Sequence, residues 1–281
     1  MHPIYTYIKN TLSGIYPDTE TSALAKWILT ELFQFSVTEL YTGKDMNFPE
    51  DNRRKLEEIL ERLKRYEPLQ YIIGKVSFAG LCLEVTPDVL IPRPETAELI
   101  DWIAADYPRG GVRILDIGTG SGCIPIALAN RLPEVQVTSW DVSEKALQVA
   151  ARNADKNKVR VLLERVDVLA ADIPSVQVDV LASNPPYITE SERAEMERNV
   201  LDWEPELALF VPDTDPLLFY RRIAEIGQQI LCEGGNLYYE INRAYGPETV
   251  ALLQKMGYGQ IELRKDLSGN DRMIKAVKTI L

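Results

Sequence analysis

Apolar positions along the chain follow two different periods, and the change from one to the other divides it. Up to about residue 74 the spacing is helical. Leu24, Trp27, Ile28, Leu32 and Phe35 fall on one face of a helix predicted over residues 21–35. Leu56, Ile59, Leu60 and Leu63 do the same over residues 52–66. Residues 75–85 read as a β-hairpin broken at Gly80. The stretch TPDVLIPRP over residues 86–94 predicts an extended connector, because proline fixes its own φ and turns the residue before it away from helix. A helix over residues 95–106 follows, with acids in its first turn, where the helix dipole favours negative charge.

Beyond residue 112 the pattern alternates. Short apolar runs at 112–115, 135–140, 160–166 and 178–182 predict strands, and helical stretches at 123–131 and 144–153 separate the first three. A helix over 216–231, a strand over 236–241, a helix over 247–256 and a last strand pair near 259–263 and 272–277 complete the chain. Strands alternating with helices build a parallel sheet covered on both faces. Ligands of such sheets lie beyond the carboxyl ends of the strands. The expected architecture is α/β. A helical, substrate-recognising domain spans 1–74, a hairpin and proline-rich linker 75–91, and a larger catalytic domain 92–281.

Composition removes several classes of chemistry. His2 is the only histidine of 281 residues, at a terminus expected to be mobile, so a Ser-His-Asp triad or a histidine-based zinc site is not expected. Cys82, Cys123 and Cys232 lie far apart without a CxxC pair, which reads as reduced thiols in a cytoplasmic protein and gives no metal site. The N-terminal MHPIYTYIKN lacks a charged start followed by an apolar core, so no secretory signal is expected, and no apolar run is long enough to span a bilayer. A formal net charge of −11 argues against stable nucleic-acid binding, which needs clustered Lys and Arg.

Two constellations carry chemistry. The first predicted strand ends in Asp116, Ile117, Gly118, Thr119, Gly120, Ser121 and Gly122 before a helix, a GxGxG turn where glycine lets the backbone bend sharply beside a ligand. Asp141 follows the second strand about 20 residues later, where a ribose-binding acid belongs. Asp167 follows the third strand and can meet an adenine amino group, with Val168 beside it. This order matches the S-adenosylmethionine site of Rossmann-like methyltransferases, whereas a GxGxxG turn for the pyrophosphate of NAD is missing. The fourth strand runs into Asn184, Pro185, Pro186 and Tyr187. An amide or aromatic-amine nitrogen is a poor nucleophile because its lone pair is delocalised. The Asn184 oxygen and the Pro185 carbonyl can each accept one of its N–H bonds and hold the lone pair towards a sulfonium methyl. Proline stiffens that stretch, and Tyr187 can lie flat on a planar target. No histidine base is needed.

With these motifs the chain resembles the protein-glutamine methyltransferases of release factors, the HemK/PrmC family. The resemblance runs over nearly the whole length. It includes residues 90–96 (LIPRPET), 116–122, 183–187, 203–206 (WEPE), 240–241 and 266–272 (DLSGNDR). It implies a small helical N-terminal domain, joined by a β-hairpin linker to a Rossmann-like S-adenosylmethionine-dependent methyltransferase domain. It implies N5-methylation of the glutamine in the Gly-Gly-Gln loop of class I peptide chain release factors, with S-adenosylhomocysteine as the second product. Residues 116 and 118–122, Asp141, Asp167, Val168 and Asn184 would then hold the cofactor, and Asn184–Tyr187 the glutamine amide. Arg93 and Glu95 would join Asn184–Tyr187 in binding the substrate, with the Arg93 connector bordering the cofactor entrance, and the helical domain would hold the rest of the release factor. Three positions depart from the family pattern: Val168 for an aromatic, Asn242 for Gly, and Pro125 for Ala in the first turn of a helix. The same tetrapeptide also suits a glutamine of a ribosomal protein or the amino group of adenine or guanine in nucleic acid. A methyltransferase fold that only binds is the remaining alternative.

Overall fold

A computed structural model describes residues 2–42, 48–170, 172 and 176–279. These form two compact units: one of Met1–Gly74 with Glu197–Trp203, the other of Lys75–Met196 with Glu204–Leu281.

The smaller unit is helical: α1 Pro3–Leu12, α2 Asp18–Trp27, α3 Val37–Thr42, α4 Glu50–Leu63 and α5 Leu69–Ile73. Ile8, Leu12, Ala25, Ile28, Leu29, Leu56, Leu60 and Leu63 form its core, so the apolar stripes read from the sequence are core faces. The helix expected over residues 21–35 starts earlier, after Pro17. It also widens into a π-helical turn at Ile28–Leu32 and stops where Gln34 turns to φ +57. His2 is buried, in contrast to the mobile terminus expected. Its backbone N–H donates to the Leu40 carbonyl (2.9 Å), its Nδ1 accepts from the Ile4 N–H at the start of α1 (3.3 Å), and its ring meets Phe35 edge-on. Residues 197–203 complete this unit. The Trp203 indole donates to the Arg65 carbonyl (3.0 Å), and the Arg198 guanidinium lies 4.2 Å from the Tyr66 ring centre.

The larger unit opens with a hairpin, β1 Lys75–Phe78 and β2 Leu81–Glu84, whose two-residue turn Ala79-Gly80 has positive φ at both positions, as a tight hairpin demands. Phe78, Leu81 and Leu83 join the core beneath α6 (Pro94–Asp106), so the hairpin is packed into this unit. Then follow β3 Arg113–Ile117, α7 Cys123–Arg131, β4 Gln136–Asp141, α8 Glu144–Lys156, β5 Leu162–Arg165 and β6 Val178–Ser183. A short pair, β7 Ile188–Thr189 and β8 Phe210–Val211, brackets the excursion that carries α9 Arg198–Leu201 into the helical unit. The chain ends with α10 Leu218–Ile230, β9 Leu231–Glu240, α11 Gly246–Lys255, β10 Tyr258–Lys265 and β11 Asp271–Lys278.

Seven strands form one sheet in the order β10-β11-β9-β6-β3-β4-β5, parallel from β9 through β5 and antiparallel at β10 and β11. Successive residues of a strand point to opposite faces, and both faces are covered. Ile114, Val180 and Ala182 pack towards α6 and α7, whereas Leu115, Ile117 and Leu181 pack towards α10. That is why these strands read as unbroken apolar runs. β9 begins well before the predicted residue 236, because its first residues pair with Val178 across a register shift. Strand order reverses on either side of β3: the chain proceeds to β4 and β5 on one side and returns to β6 on the other. The carboxyl ends of β3 and β6 therefore flank the crevice in which such folds take their ligands.

Candidate active site

The turn after β3 carries three glycines with left-handed backbones: Gly118 (φ +86), Gly120 (φ +52) and Gly122 (φ +83). The N–H groups of Gly118 and Thr119 both donate to the Trp140 carbonyl (2.8 and 3.2 Å), which ties the turn to the end of β4. The three glycines do different work. A Cβ on Gly120 would meet nothing within 4 Å, since this residue faces the cavity. A Cβ on Gly118 would come to 3.6 Å from the Asn184 carbonyl oxygen. A Cβ on Gly122 would strike Ile126 at 2.7 Å and Ala150 at 3.2 Å, so Gly122 lets α7 approach α8 and does not border the cavity.

Asp141, the last residue of β4, fastens this turn. Its Oδ2 accepts the Gly120 N–H (2.9 Å) and its Oδ1 the Ser143 N–H (2.8 Å). Burial raises its pKa, and these backbone N–H groups pull it back down. Asp116 lies beneath the turn, fully buried. Its Oδ2 accepts the Ser139 hydroxyl (2.6 Å), and its Oδ1 has no partner among the described residues. Burial above all, with the nearby Asp141 charge adding to it, pushes Asp116 up to about 7 against the Ser139 hydrogen bond.

These groups border a cavity of about 270 Å³ inside the larger unit. Gly118, Thr119, Gly120, Ser121, Asp141, Asp167, Val168, Asn184, Pro185, Pro186 and Arg93 line it, whereas Asp116, Gly122, Glu95 and Tyr187 do not. The Asp167 Oδ1 accepts the Leu169 N–H (3.0 Å), and the Val168 carbonyl accepts the Arg222 Nε–H (2.7 Å), which pins the loop after β5. Trp140, Phe219 and Ile223 supply apolar wall that no motif announced. Glu204 is buried and staples the proline connector: its Oε2 accepts the Ile91 N–H (3.1 Å) and its Oε1 the Arg93 guanidinium (2.6 Å). The Arg93 charge is thus already paired.

At the end of β6, the Ser183 hydroxyl donates to the Ile117 carbonyl (2.6 Å) and locks the ends of β3 and β6 together. Asn184 Nδ2 donates to Thr96 Oγ1 (3.3 Å), and Thr96 donates in turn to Glu240 Oε2 (2.5 Å). The Tyr187 hydroxyl donates to Glu240 Oε1 (3.2 Å). Glu240 is buried, and the loss of solvent raises its pKa despite the Thr96 hydroxyl and the Arg272 charge. Desolvation, reinforced by the Glu240 charge, raises Tyr187 strongly, so it stays a neutral phenol. Asn242 has φ −63, a backbone open to any residue. Its side chain ties the Tyr187 carbonyl (3.0 Å) to Glu192 (3.0 and 3.1 Å). Pro125 is the third residue of α7, where a missing N–H breaks no helical bond. Thr96 and Glu240 have no motif chemistry of their own, yet both fall in segments that the resemblance singled out.

The cavity suits an adenosyl sulfonium compound. Its floor is a glycine turn with one face open, a carboxylate stands at the end of β4, and Ser121, which lines it, carries a buried hydroxyl without a partner among the described residues. Most of the remaining wall is apolar, which a nucleoside needs.

Sheet order, glycine turn and Asn-Pro-Pro-Tyr strand end define a Rossmann-like methyltransferase of the S-adenosylmethionine-dependent class. Family comparisons agree. Residues 96–202 match the methyltransferase small domain, and residues 4–74 match the PrmC N-terminal domain. Among solved structures, a methyltransferase from Pyrococcus furiosus shares the fold at a TM-score of 0.54 and 19% identity, over 83% of this chain and 100% of that one. The release factor glutamine methyltransferase of Bacteroides thetaiotaomicron is 48% identical over 98% of this chain and 99% of its own. That of Flavobacterium psychrophilum is 41% identical over 96% of each. The chain belongs to the release factor glutamine methyltransferase family.

Proposed function

We propose that this protein moves a methyl group from S-adenosylmethionine to the side-chain amide nitrogen (N5) of the glutamine in the Gly-Gly-Gln loop of class I peptide chain release factors. S-adenosylhomocysteine is the second product. One observation carries the reading. Asn184 and the two prolines border the same cavity as the glycine turn and Asp141, and the Asn184 NH2 group is already engaged by Thr96, which leaves its oxygen to accept.

When bound, the cofactor supplies an electrophilic methyl on a sulfonium, so the displacement needs no metal to activate it. Asp141 takes the ribose hydroxyls, the turn at Gly118–Ser121 takes the methionine end, and Asp167 with Val168, Phe219 and Ile223 holds the adenine. Phe219 supplies the aromatic surface that Val168 does not. On the acceptor side, the Asn184 oxygen and the Pro185 carbonyl each take one N–H of the glutamine amide. As the nitrogen bonds to carbon its resonance with the carbonyl is lost and its N–H bonds become more acidic. Both hydrogen bonds therefore strengthen towards the transition state, and that difference is what accelerates the reaction. The new N–C bond forms as the C–S bond breaks, and one amide proton leaves to solvent. The helical unit would bind the body of the release factor in the cytoplasm, without stable contact to nucleic acid.

The test is mass spectrometry of a purified release factor after incubation with the protein and S-adenosylmethionine. One added methyl on the Gly-Gly-Gln glutamine is expected. Cofactor binding without that methyl would overturn the acceptor and redirect the search to ribosomal proteins and nucleic acid.

A further inference from the structure

We propose that Glu240, acting through Thr96, dictates which end of the Asn184 amide faces the acceptor nitrogen. The inference rests on the amide-methylating reading of the site. The oxygen and NH2 ends of a side-chain amide have nearly the same shape, so packing alone cannot choose between them; hydrogen bonds must. Presenting the wrong end would set an N–H donor against the N–H bonds of the glutamine amide.

The choice is made by counting protons. A carboxylate only accepts, so the one proton of the Thr96 hydroxyl is committed to Glu240 Oε2 at 2.5 Å. Thr96 Oγ1 is then left with lone pairs alone towards Asn184, and only an NH2 group can meet them, as Nδ2 does at 3.3 Å. Oδ1 is thereby turned away from Thr96. The same carboxylate receives the Tyr187 hydroxyl on its other oxygen (3.2 Å), so one buried acid fixes both ends of the Asn-Pro-Pro-Tyr segment. Thr96 and Glu240 are each 1% exposed, so water does not substitute for either. They are positioning residues: Glu240 touches no substrate and works through its neighbours. A glutamine at 240 breaks the logic, because its NH2 can donate to Thr96. The threonine proton is then free to bond Asn184 Oδ1 and reverse the amide.

The experiment uses the full chain, a purified release factor and S-adenosylmethionine, with Thr96→Val, Thr96→Ser and Glu240→Gln. T96V and E240Q are expected to lower kcat by about 10- to 100-fold, as for loss of a partner that orients a functional side chain, with cofactor Kd within about threefold of the parent. T96S keeps the hydroxyl and is expected to restore kcat to within about threefold. Without any release factor, the Asn184 side-chain NH2 resonances, assigned as the pair missing from Asn184→Asp, should move in T96V and E240Q and hold in T96S. Unchanged kcat in E240Q and T96V, a loss in T96S as large as in T96V, or unmoved resonances would each overturn the inference. A parent protein that leaves the release factor unmethylated but shows the resonance pattern would reject the acceptor reading while supporting the orientation by Glu240.

Discussion

Replacing Asp141 with alanine tests the cofactor half of the site. The carboxylate is expected to serve the bound ribose while holding the Gly120 N–H at 2.9 Å and the Ser143 N–H at 2.8 Å. A hydrogen bond to a charged group is worth roughly 1.5–3 kcal/mol, and 1.4 kcal/mol is tenfold in affinity, so Asp141→Ala should weaken S-adenosylmethionine binding by about 10- to 150-fold. Both backbone donors also lose their acceptor, at a further cost in stability of about 1–3 kcal/mol. Asp141→Asn separates the two effects: its single oxygen can satisfy one N–H, and its NH2 must face the other. Affinity and stability for Asn should both lie between parent and alanine. Titration calorimetry reads the affinity, and thermal unfolding without cofactor reads the stability. If Asp141→Ala stays folded and binds within threefold of the parent, the ribose assignment is wrong, whatever the turn does.

Three further outcomes are expected. Asn184→Ala should keep cofactor affinity but lower kcat on a release factor by about 100-fold or more, the effect of losing a preorganised acceptor; near-normal turnover would remove Asn184 from the chemistry. Phe219→Ala should weaken cofactor binding by about tenfold, since truncating a buried aromatic forfeits stacking worth about 0.5–1.5 kcal/mol together with apolar contact; equal affinity in calorimetry would put the adenine elsewhere. Asp116 is raised from its ordinary 3.8 to about 7 in the folded chain, so between those values the folded state binds more protons than the unfolded one and stability falls as pH rises. The parent should therefore lose Tm between about pH 4 and pH 7 more steeply than Asp116→Asn, and parallel curves would refute the assignment.

Much of this site was written in local sequence because it consists of strand ends. Glycine turn, Asp141, Asp167 and Asn184 each follow an apolar run, and a parallel sheet brings such ends together whatever lies between them. What escaped was set by tertiary contact. Phe219 and Ile223 look like any helix stripe until α10 is laid over the sheet. Thr96 and Glu240 are separated by most of the larger unit in sequence and gain meaning only when α6 and β9 place a hydroxyl against a carboxylate. Gly122 shared the pattern of its neighbours, but its reason is the closeness of α8. His2 was misjudged because a lone terminal residue gives no period to read, whereas its partners Leu40 and Phe35 lie well downstream.

The helical unit is not a continuous stretch of chain: Glu197–Trp203 belongs to it as fully as the residues before Gly74. During synthesis the first helices leave the ribosome long before the segment that gives the Arg65 carbonyl its indole donor and Tyr66 its guanidinium. That segment is encoded only after β1 to β7 and the Asn-Pro-Pro-Tyr segment. Protein engineers who graft residues 1–74 onto another methyltransferase would therefore move a domain with its last piece left behind. A transferable cassette must carry the 197–203 excursion as well, which ties the inheritance of the helical unit to the stretch of gene that follows the Asn-Pro-Pro-Tyr segment.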